Sequence, residues 1–357
     1  MIDAYFANEE HIGQSSLKGI LHGVDAYKAV QEQILYYEEK THFTIGSAVD
    51  TILTQGKGVF RNTHHVTSIP KPTGKTLSII NYVFDNVRLT GEEEVIELAG
   101  FEQTILDGCI MENFHNEWGN SARVNYIVRN GEPYFNDLIK AMGKTVLSPE
   151  EVETSEGIVK SLKESQNTQP YFVGKHMPRG VDMHYQVPIY FVYKDVLCKA
   201  LLDIVAVDHR NKLIRPLDLK TMGDYTIMFP KSIRRFRYDI QGAFYTEALM
   251  HAIPEGKGMF SGLTDYGILP FAFIVESTKV QGNPLIYQMD ESLLKIGKHG
   301  RDELFIGDKG DYLQSSRIKG FDEAIDLLIW HRENGFDKDK DVVDADGVFQ
   351  VDWNRKW

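Results

Sequence analysis

Cysteine is nearly absent: the 357 residues contain two, Cys109 and Cys198. That excludes a disulfide framework and a four-cysteine zinc or iron–sulfur site, and suggests a reducing cytoplasm. No window approaches the roughly 18 uncharged apolar residues of a membrane-spanning helix. The opening MIDAYFANEE has neither a basic n-region nor an apolar h-region, so no secretory signal is expected. Positive charge is also scarce: Lys plus Arg is 39 against 51 for Asp plus Glu, a formal charge of −12. This argues against a general nucleic-acid binder, since phosphate neutralisation needs Lys and Arg. A local basic patch can still bind phosphate on an acidic molecule, so the distribution of charge matters more than the sum. No solenoid-type repeat and no Gly-x-Ser-x-Gly or Cys/His nucleophile signature is present. The twelve His show no metal-ligand spacing; His64 and His65, being adjacent, would face opposite sides of a strand.

The composition is ordinary for a globular chain, 42% hydrophobic and 25% charged. The length suits two domains of roughly 150 residues or one large α/β domain with insertions. The first 55 residues read as helical, with Ser15-Ser16 capping LKGILHGVDAYKAVQEQILYYEE and a second apolar stretch from Phe43 to Leu53. Residues 56–76 read as an irregular connection. Helical spacing resumes from Leu77 to about Leu162, where Ser148-Pro149-Glu150 is a strong helix start. Three strand candidates follow: YQVPIYFVY (185–193), VLCKALLDIVAV (196–207) and KLIRPLDLK (212–220). One helix is expected over Lys231–Ile253, stopped by Pro254, then strands at GILPFAFIVEST and PLIYQMD, then a largely helical remainder including FDEAIDLLIWHREN. This order predicts an α+β or α/β core with a helical insertion before its sheet.

The sharpest constellation is Asp203, Asp218 and Lys220. Asp203 ends the apolar run CKALLD, and Asp218 and Lys220 close the next strand on one shared face. If the two strands form a hairpin turning at Arg210-Asn211, Asp203 lies directly across from Asp218. Two carboxylates that close are costly without a cation between them, and Mg²⁺ is the natural cation for carboxylate and phosphate oxygens. A nearby Lys can orient the attacking water and offset transition-state charge. The bland alternative is a cross-strand ion pair at a sheet edge. Downstream, Lys231, Arg234, Arg235 and Arg237 put four cations in seven residues, with Phe236 and Tyr238 interleaved. On an unbroken helix Arg234 and Arg237 share a face and Arg235 points about 100° away. Arg234 and Arg237 are then the expected phosphate contacts, and Arg235 the expected partner of an acidic surface. Gln241 and Tyr245, four apart, also share a helical face. A solvated helix face and ordinary packing are the competing readings.

Asp203, then Asp218-Leu219-Lys220-Thr221, then Gln241-x-x-x-Tyr245 resembles the PD-(D/E)xK nuclease superfamily, and within it the RecB-type domains and the phage exonuclease VIII (RecE-like) group. HIGQSSLKGIL resembles the Ser-rich helix start of the phage group. The resemblance implies an α+β, restriction-endonuclease-like core: a central mixed sheet flanked by helices, with a helical insertion. It implies a single nuclease domain over 1–357, with core helices in 1–55, the insertion at 77–165, the catalytic sheet and helix at 180–290 and a C-terminal helical segment at 291–357. The implied activity is metal-dependent hydrolysis of DNA, as a phage-type exonuclease in recombination or repair. Mg²⁺, with Mn²⁺ as a substitute, would be held by Asp203, Asp218, Asp50 and the backbone carbonyl of Leu219. Lys220 would position the water, Gln241 and Tyr245 would contact substrate, and Arg234, Arg235 and Arg237 would track the DNA backbone. The implied partners are DNA, a single-strand annealing recombination protein and further copies of the chain, in the host cytoplasm for a phage protein, with no membrane.

The chain departs from the pattern in places. Asp50, in Gly46-Ser47-Ala48-Val49-Asp50, stands where the family usually has His; Asp can also ligate Mg²⁺. A carboxylate on that apolar stretch is costly without a partner, the alternative being a solvent-facing helix Asp. Ala200 replaces a usual Gly. Gln186 stands where a further Glu is expected and is a weaker ligand. These changes motivate a second expectation, a catalytically weakened DNA-binding or assembly protein that keeps the fold. Other motifs fail. Lys71-Pro-Thr-Gly-Lys75-Thr76 ends like a P-loop, but its first Gly is Ile69. The acidic run Asp337, Asp339, Asp341, Asp344 and Asp346 has Val342 where a calcium loop needs Gly, and reads as a solvated tail. Glu38–Lys40 and Glu255–Lys257 repeat the Glu-x-Lys spacing in polar contexts.

Overall fold

The computed structural model describes residues 5–31, 41–90, 97–141, 143–306 and 313–340. Its centre is a mixed six-stranded sheet in the order β3 (Val181–Tyr193), β4 (Val196–Asp208), β5 (Leu213–Met222), β7 (Ala272–Ser277), β8 (Leu285–Gln288), with β6 (Gly267–Ile268) also beside β5. β3, β4 and β5 run antiparallel as two hairpins. β5 and β7 are parallel, so the chain crosses over between them. The apolar β-branched runs of β4, β5 and β7 are what a sheet covered on both faces requires.

One face of the sheet packs on α10 (Tyr238–Glu255) and α12 (Phe321–Asn334), through Phe244, Leu249, Phe321 and Leu328. α1 (Gln14–Leu21) joins this layer, and α2 (Val24–Gln31) packs on α1. The other face packs on α3 (Thr41–Asp50), whose helix continues as a π-helical turn over Thr51–Gln55, and on α8 (Pro149–Glu164). α8 starts as its sequence predicts: Ser148 and Glu151 form a reciprocal capping box, with Pro149 at the first position. A third core belongs to the inserted segment, where α5 (Gly74–Thr90), α6 (Glu102–Met111) and α7 (Asn120–Lys140) bury Ile79, Ile105 and Phe135.

The strand hairpins bend where the chemistry sits. Val187, Ile189 and Phe191 of β3 face the α10 layer, whereas Val181 and Met183, of the same parity, face the α3 layer. β4 changes faces at the same point, between Leu202 and Ile204. In β3 the switch falls at Gln186, whose φ of +51° puts it in the left-handed region and reverses the side-chain alternation along that strand. Such kinks recur beside functional sites.

Several expected elements differ. The N-terminal helix breaks at Gly23, φ +117°, into α1 and α2. Residues 56–76 hold a helix, α4 (Lys57–Thr63), and a short strand, β1 (His64–Val66), paired with β2 (Thr145–Leu147). The expected helix 231–253 is two helices, α9 (Phe229–Phe236) and α10, separated by Arg237. It also runs past Pro254 to Glu255. The strand expected from Gly267 is interrupted by Pro270 between β6 and β7. The C-terminal part is not all helix: α11 (Glu291–His299) is followed by an antiparallel hairpin, β9 (Arg301–Ile306) with β10 (Leu313–Ile318). Glu38–Lys40 and the acidic positions Asp341, Asp344 and Asp346 lie outside the described residues. Among the described residues no helix is long and apolar enough to cross a membrane.

Candidate active site

The β4–β5 hairpin has the register expected from a turn at Arg210-Asn211. Asp208 accepts from the backbone N–H groups of both turn residues, and Ile204 lies against Leu217. Asp203 and Asp218 are the next residues beyond the last pair of that register, and their carboxyls interact electrostatically. Asp203 Oδ2 accepts the Leu219 backbone N–H at 2.9 Å. Asp218 is 1% exposed; its Oδ1 accepts from Gln241 Nε2 at 2.7 Å, and its Oδ2 meets the Lys220 ammonium. α3 delivers Asp50 from the other side. Gln186 Nε2 donates to both Asp50 oxygens at 3.0 Å. Gly46 permits the close approach of α3 to β5, since a Cβ there would meet Thr221 Oγ1 at 2.8 Å. The structure therefore brings Asp50, Asp203, Asp218, Lys220, Gln186 and Gln241 into one cluster.

The cluster is electrostatically loaded. Burial, then the charges of Asp218 and Asp50, push the Asp203 carboxyl well above its ordinary range. Burial, then Asp218, lift Asp50 to about 6. Burial opposes the Lys220 charge, but Asp218 and Asp203 outweigh it and its pKa is raised. With all groups ionised, three carboxylates face one ammonium, an excess of two negative charges. That excess and the oxygen donors suit a divalent hard cation. Among the described residues no three Asp, Glu, His or Cys side chains are already arranged as a metal shell. Asp50 is turned to Gln186, and Asp218 to Gln241 and Lys220. Mg²⁺ commonly uses only one or two protein carboxylates together with waters and phosphate oxygens, so Asp203 and Asp218 could suffice.

The remaining expected residues fall in two environments. Gln241 and Tyr245 share a face of α10, but both are buried, at 4% and 7% exposure. Gln241 spends its amide orienting Asp218, and burial raises the Tyr245 phenol far above its usual range. The expected Arg234–Arg237 contact pair is reversed. Arg237 adopts φ 52°, ψ 48°, between the two helices, so it leaves the helical register of Arg234. Arg237 is tied to Asp239 and to the Lys319 carbonyl, and Arg234 to Glu303 at 3.1 Å. Arg235 is exposed over the Phe236 ring, and among the described residues no carboxylate pairs with it.

Two positions near the site escaped the sequence reading. Lys18, on α1, places its ammonium 5.4 Å from the centre of the Tyr238 ring, and Lys220 approaches the same ring at 5.2 Å. In sequence Lys18 is one lysine on an amphipathic helix, and only the fold brings it to Tyr238. Glu276, fully buried on β7, is held by Ser161 and by the backbone N–H groups of Ser277 and Gly282. It is a satisfied core carboxylate rather than part of the cluster. The Glu255–Lys257 pair is an exposed contact at the end of α10.

No family model matches the chain. No curated protein matches it either. Among solved structures it is similar to a crystal structure from Eubacterium rectale described as a "putative exonuclease", at 14% identity and a TM-score of 0.40, covering 82% of this chain and 77% of that one.

Proposed function

We propose that the protein is a metal-dependent DNA nuclease of the PD-(D/E)xK type with a restriction-endonuclease-like core, an exonuclease serving phage-type recombination or repair. The observation that carries this is the convergence of Asp203, Asp218 and Lys220 at the kinked end of a buried hairpin, where a plain structural ion pair would need only one carboxylate. Asp203 and Asp218, with the Leu219 carbonyl and Asp50, would hold Mg²⁺ or Mn²⁺. The ion would supply Lewis acidity to the phosphoryl oxygens. Lys220 would orient the attacking water and offset charge at the reacting phosphate. Gln241 fixes the Asp218 carboxylate, so its role is positioning. Arg235 and Lys231 present exposed charge for the DNA backbone. A single-strand annealing protein and further copies of the chain, in the cytoplasm, are the partners of this reading.

A second reading has its own observation. Gln186 stands where the resemblance expects Glu, and it satisfies both oxygens of Asp50 without any metal. That favours a weakened nuclease that binds DNA. Incubating the full chain with linear and circular DNA in Mg²⁺ or Mn²⁺ separates the two. Loss of linear DNA with circular DNA spared identifies the exonuclease. Cleavage of both identifies an endonuclease. Retention of DNA with neither cut identifies the binding protein.

A further inference from the structure

α9 borders a second site. Between α1, α9, α11 and the β9–β10 hairpin lies a cavity of about 610 Å³, large enough for a small ligand. Its floor is apolar, with Ile233, Ile240 and Ile296. Its walls are cationic: seven Lys or Arg side chains line it against one carboxylate, Asp239, on a chain whose net charge is −12. Carboxylates just outside the lining do not cancel this. Glu303 serves both Arg234 and Arg301, while Asp302 and Glu323 serve Arg317, so the cations still outnumber the acids by seven to four.

The cations are arranged in depth. At the mouth, the side chains of Arg234, Arg301 and Arg317 are 70%, 47% and 40% exposed. Each guanidinium has five N–H donors, more than its ion pairs use. Further in, Arg237 is locked by Asp239 and the Lys319 carbonyl. Lys18 is half-buried. Among the described residues its ammonium donates no hydrogen bond and forms no ion pair, and the charges of Asp218 and Asp239 act on it only through space. Its ammonium lies over the Tyr238 ring. Burial first, and the Lys220 charge second, bring its pKa down to about 7. An anion in the cavity is the partner that would restore its charge. Lys220 touches the same ring, so the two ammoniums lie within about 11 Å of each other, but Lys220 is paired with Asp218 and does not line the cavity.

We propose that this cavity binds a phosphate group, at a site separate from the carboxylate cluster. Bidentate arginines and a desolvated ammonium around an apolar floor suit a phosphoryl head on a short organic body. Two sources carry that chemistry: the terminal phosphate of a nucleic-acid strand, and the phosphate of a free nucleotide. The first source rests on the nuclease reading, whereas phosphate binding itself does not.

The test uses the full chain in EDTA, so that hydrolysis plays no part. Binding of inorganic phosphate, adenosine monophosphate, and short oligonucleotides ending in phosphate or hydroxyl is measured by calorimetry. The phosphate-bearing probes should bind saturably. Lys18→Gln and Arg301→Gln should each weaken them by about tenfold, the worth of one charge-assisted hydrogen bond. Lys160→Gln, on the exposed side of α8, should leave binding unchanged. Melting curves check that each variant is folded, and Arg301, on the surface hairpin, carries the test if Lys18→Gln is not. A phosphate-ended oligonucleotide binding about tenfold tighter than both its hydroxyl-ended twin and the mononucleotide identifies a strand end. Equal binding of the mononucleotide identifies a free nucleotide. No saturable phosphate binding, or wild-type affinity in both variants, overturns the proposal. A chain that binds phosphate here but cuts no DNA overturns the nuclease reading alone; one that cuts DNA but binds no phosphate overturns this site alone.

Discussion

Replacing Asp50 with Asn should stabilise the metal-free protein at pH 7.5. Asp50 is held at about 6 by burial and by the Asp218 charge, against an ordinary 3.8. That gap corresponds to about 3 kcal/mol opposing the folded state when the group is ionised. The sign follows from the raised value. The penalty is full above about 6 and is relieved as pH falls through about 6 toward 3.8, where the folded chain keeps a proton that the unfolded chain releases. Asn accepts one of the two Gln186 hydrogen bonds rather than both, a loss of about 1 kcal/mol. The net gain is therefore about 2 kcal/mol, a rise of a few degrees in melting temperature for a chain of this size. The assay is a thermal melt in EDTA from pH 7.5 to pH 5. The wild type should become more stable as pH falls. The variant should start higher and gain less, keeping only the contribution of Asp203, which titrates in the same direction. With Mg²⁺ at about 100 times its dissociation constant the wild type should gain about 2.7 kcal/mol, and the variant should need more metal for the same gain. A variant that melts at or below the wild type in EDTA at pH 7.5 would refute the reasoning. Overlapping Mg²⁺ titrations would remove Asp50 from the metal shell.

Three further outcomes are expected. Arg235→Ala should reduce the slope of log affinity against log salt by about 0.9 on duplex DNA. Arg234→Ala should change it less, because Glu303 already neutralises Arg234; the opposite ranking would move the DNA path to the other side of α9. Gln241→Ala should strip Asp218 Oδ1 of its donor and cost about 1.5–3 kcal/mol in a denaturant melt, with slower cleavage; wild-type stability and rate would show that the bond contributes nothing. Gly300→Ala should destabilise by about 1–3 kcal/mol or more, because Gly300 has φ +70° and a Cβ would meet the Ile318 carbonyl oxygen at 2.3 Å; an unchanged melt would mean that the β9–β10 hairpin does not seat there.

The local part of the site was legible in the sequence because it is built from a hairpin. The polar Arg210-Asn211 turn between two apolar runs sets the register, which pairs Ile204 with Leu217 and so brings the neighbouring Asp203 and Asp218 to the same end of the hairpin. Strand alternation put Asp218 and Lys220 on one face, and helical spacing did the same for Gln241 and Tyr245. What was not legible depends on single backbone conformations. Nothing about Gln186 announces a left-handed residue, yet it reverses the faces of β3 and turns its amide to Asp50. Arg237 reads as one more helical position, yet its left-handed conformation ends α9, and with it the predicted pairing of Arg234 and Arg237. The β9–β10 hairpin was read as helix because its strands are short and polar, so periodicity had little to register. Lys18 is distant in sequence from every residue it approaches, and such proximity exists only once α1 packs beside α10.

The most direct test of the hydrolytic centre is release of acid-soluble nucleotides from linear duplex DNA by the wild type, Asp218→Asn and Lys220→Ala, with DNA affinity measured alongside. The wild type should release nucleotides in Mg²⁺ or Mn²⁺ and none in EDTA. Each variant should be slower by at least about 10²-fold while still binding DNA, since affinity comes mainly from backbone contacts and the chemistry from the cluster. Release by either variant at the wild-type rate, or by the wild type in EDTA, would contradict the account.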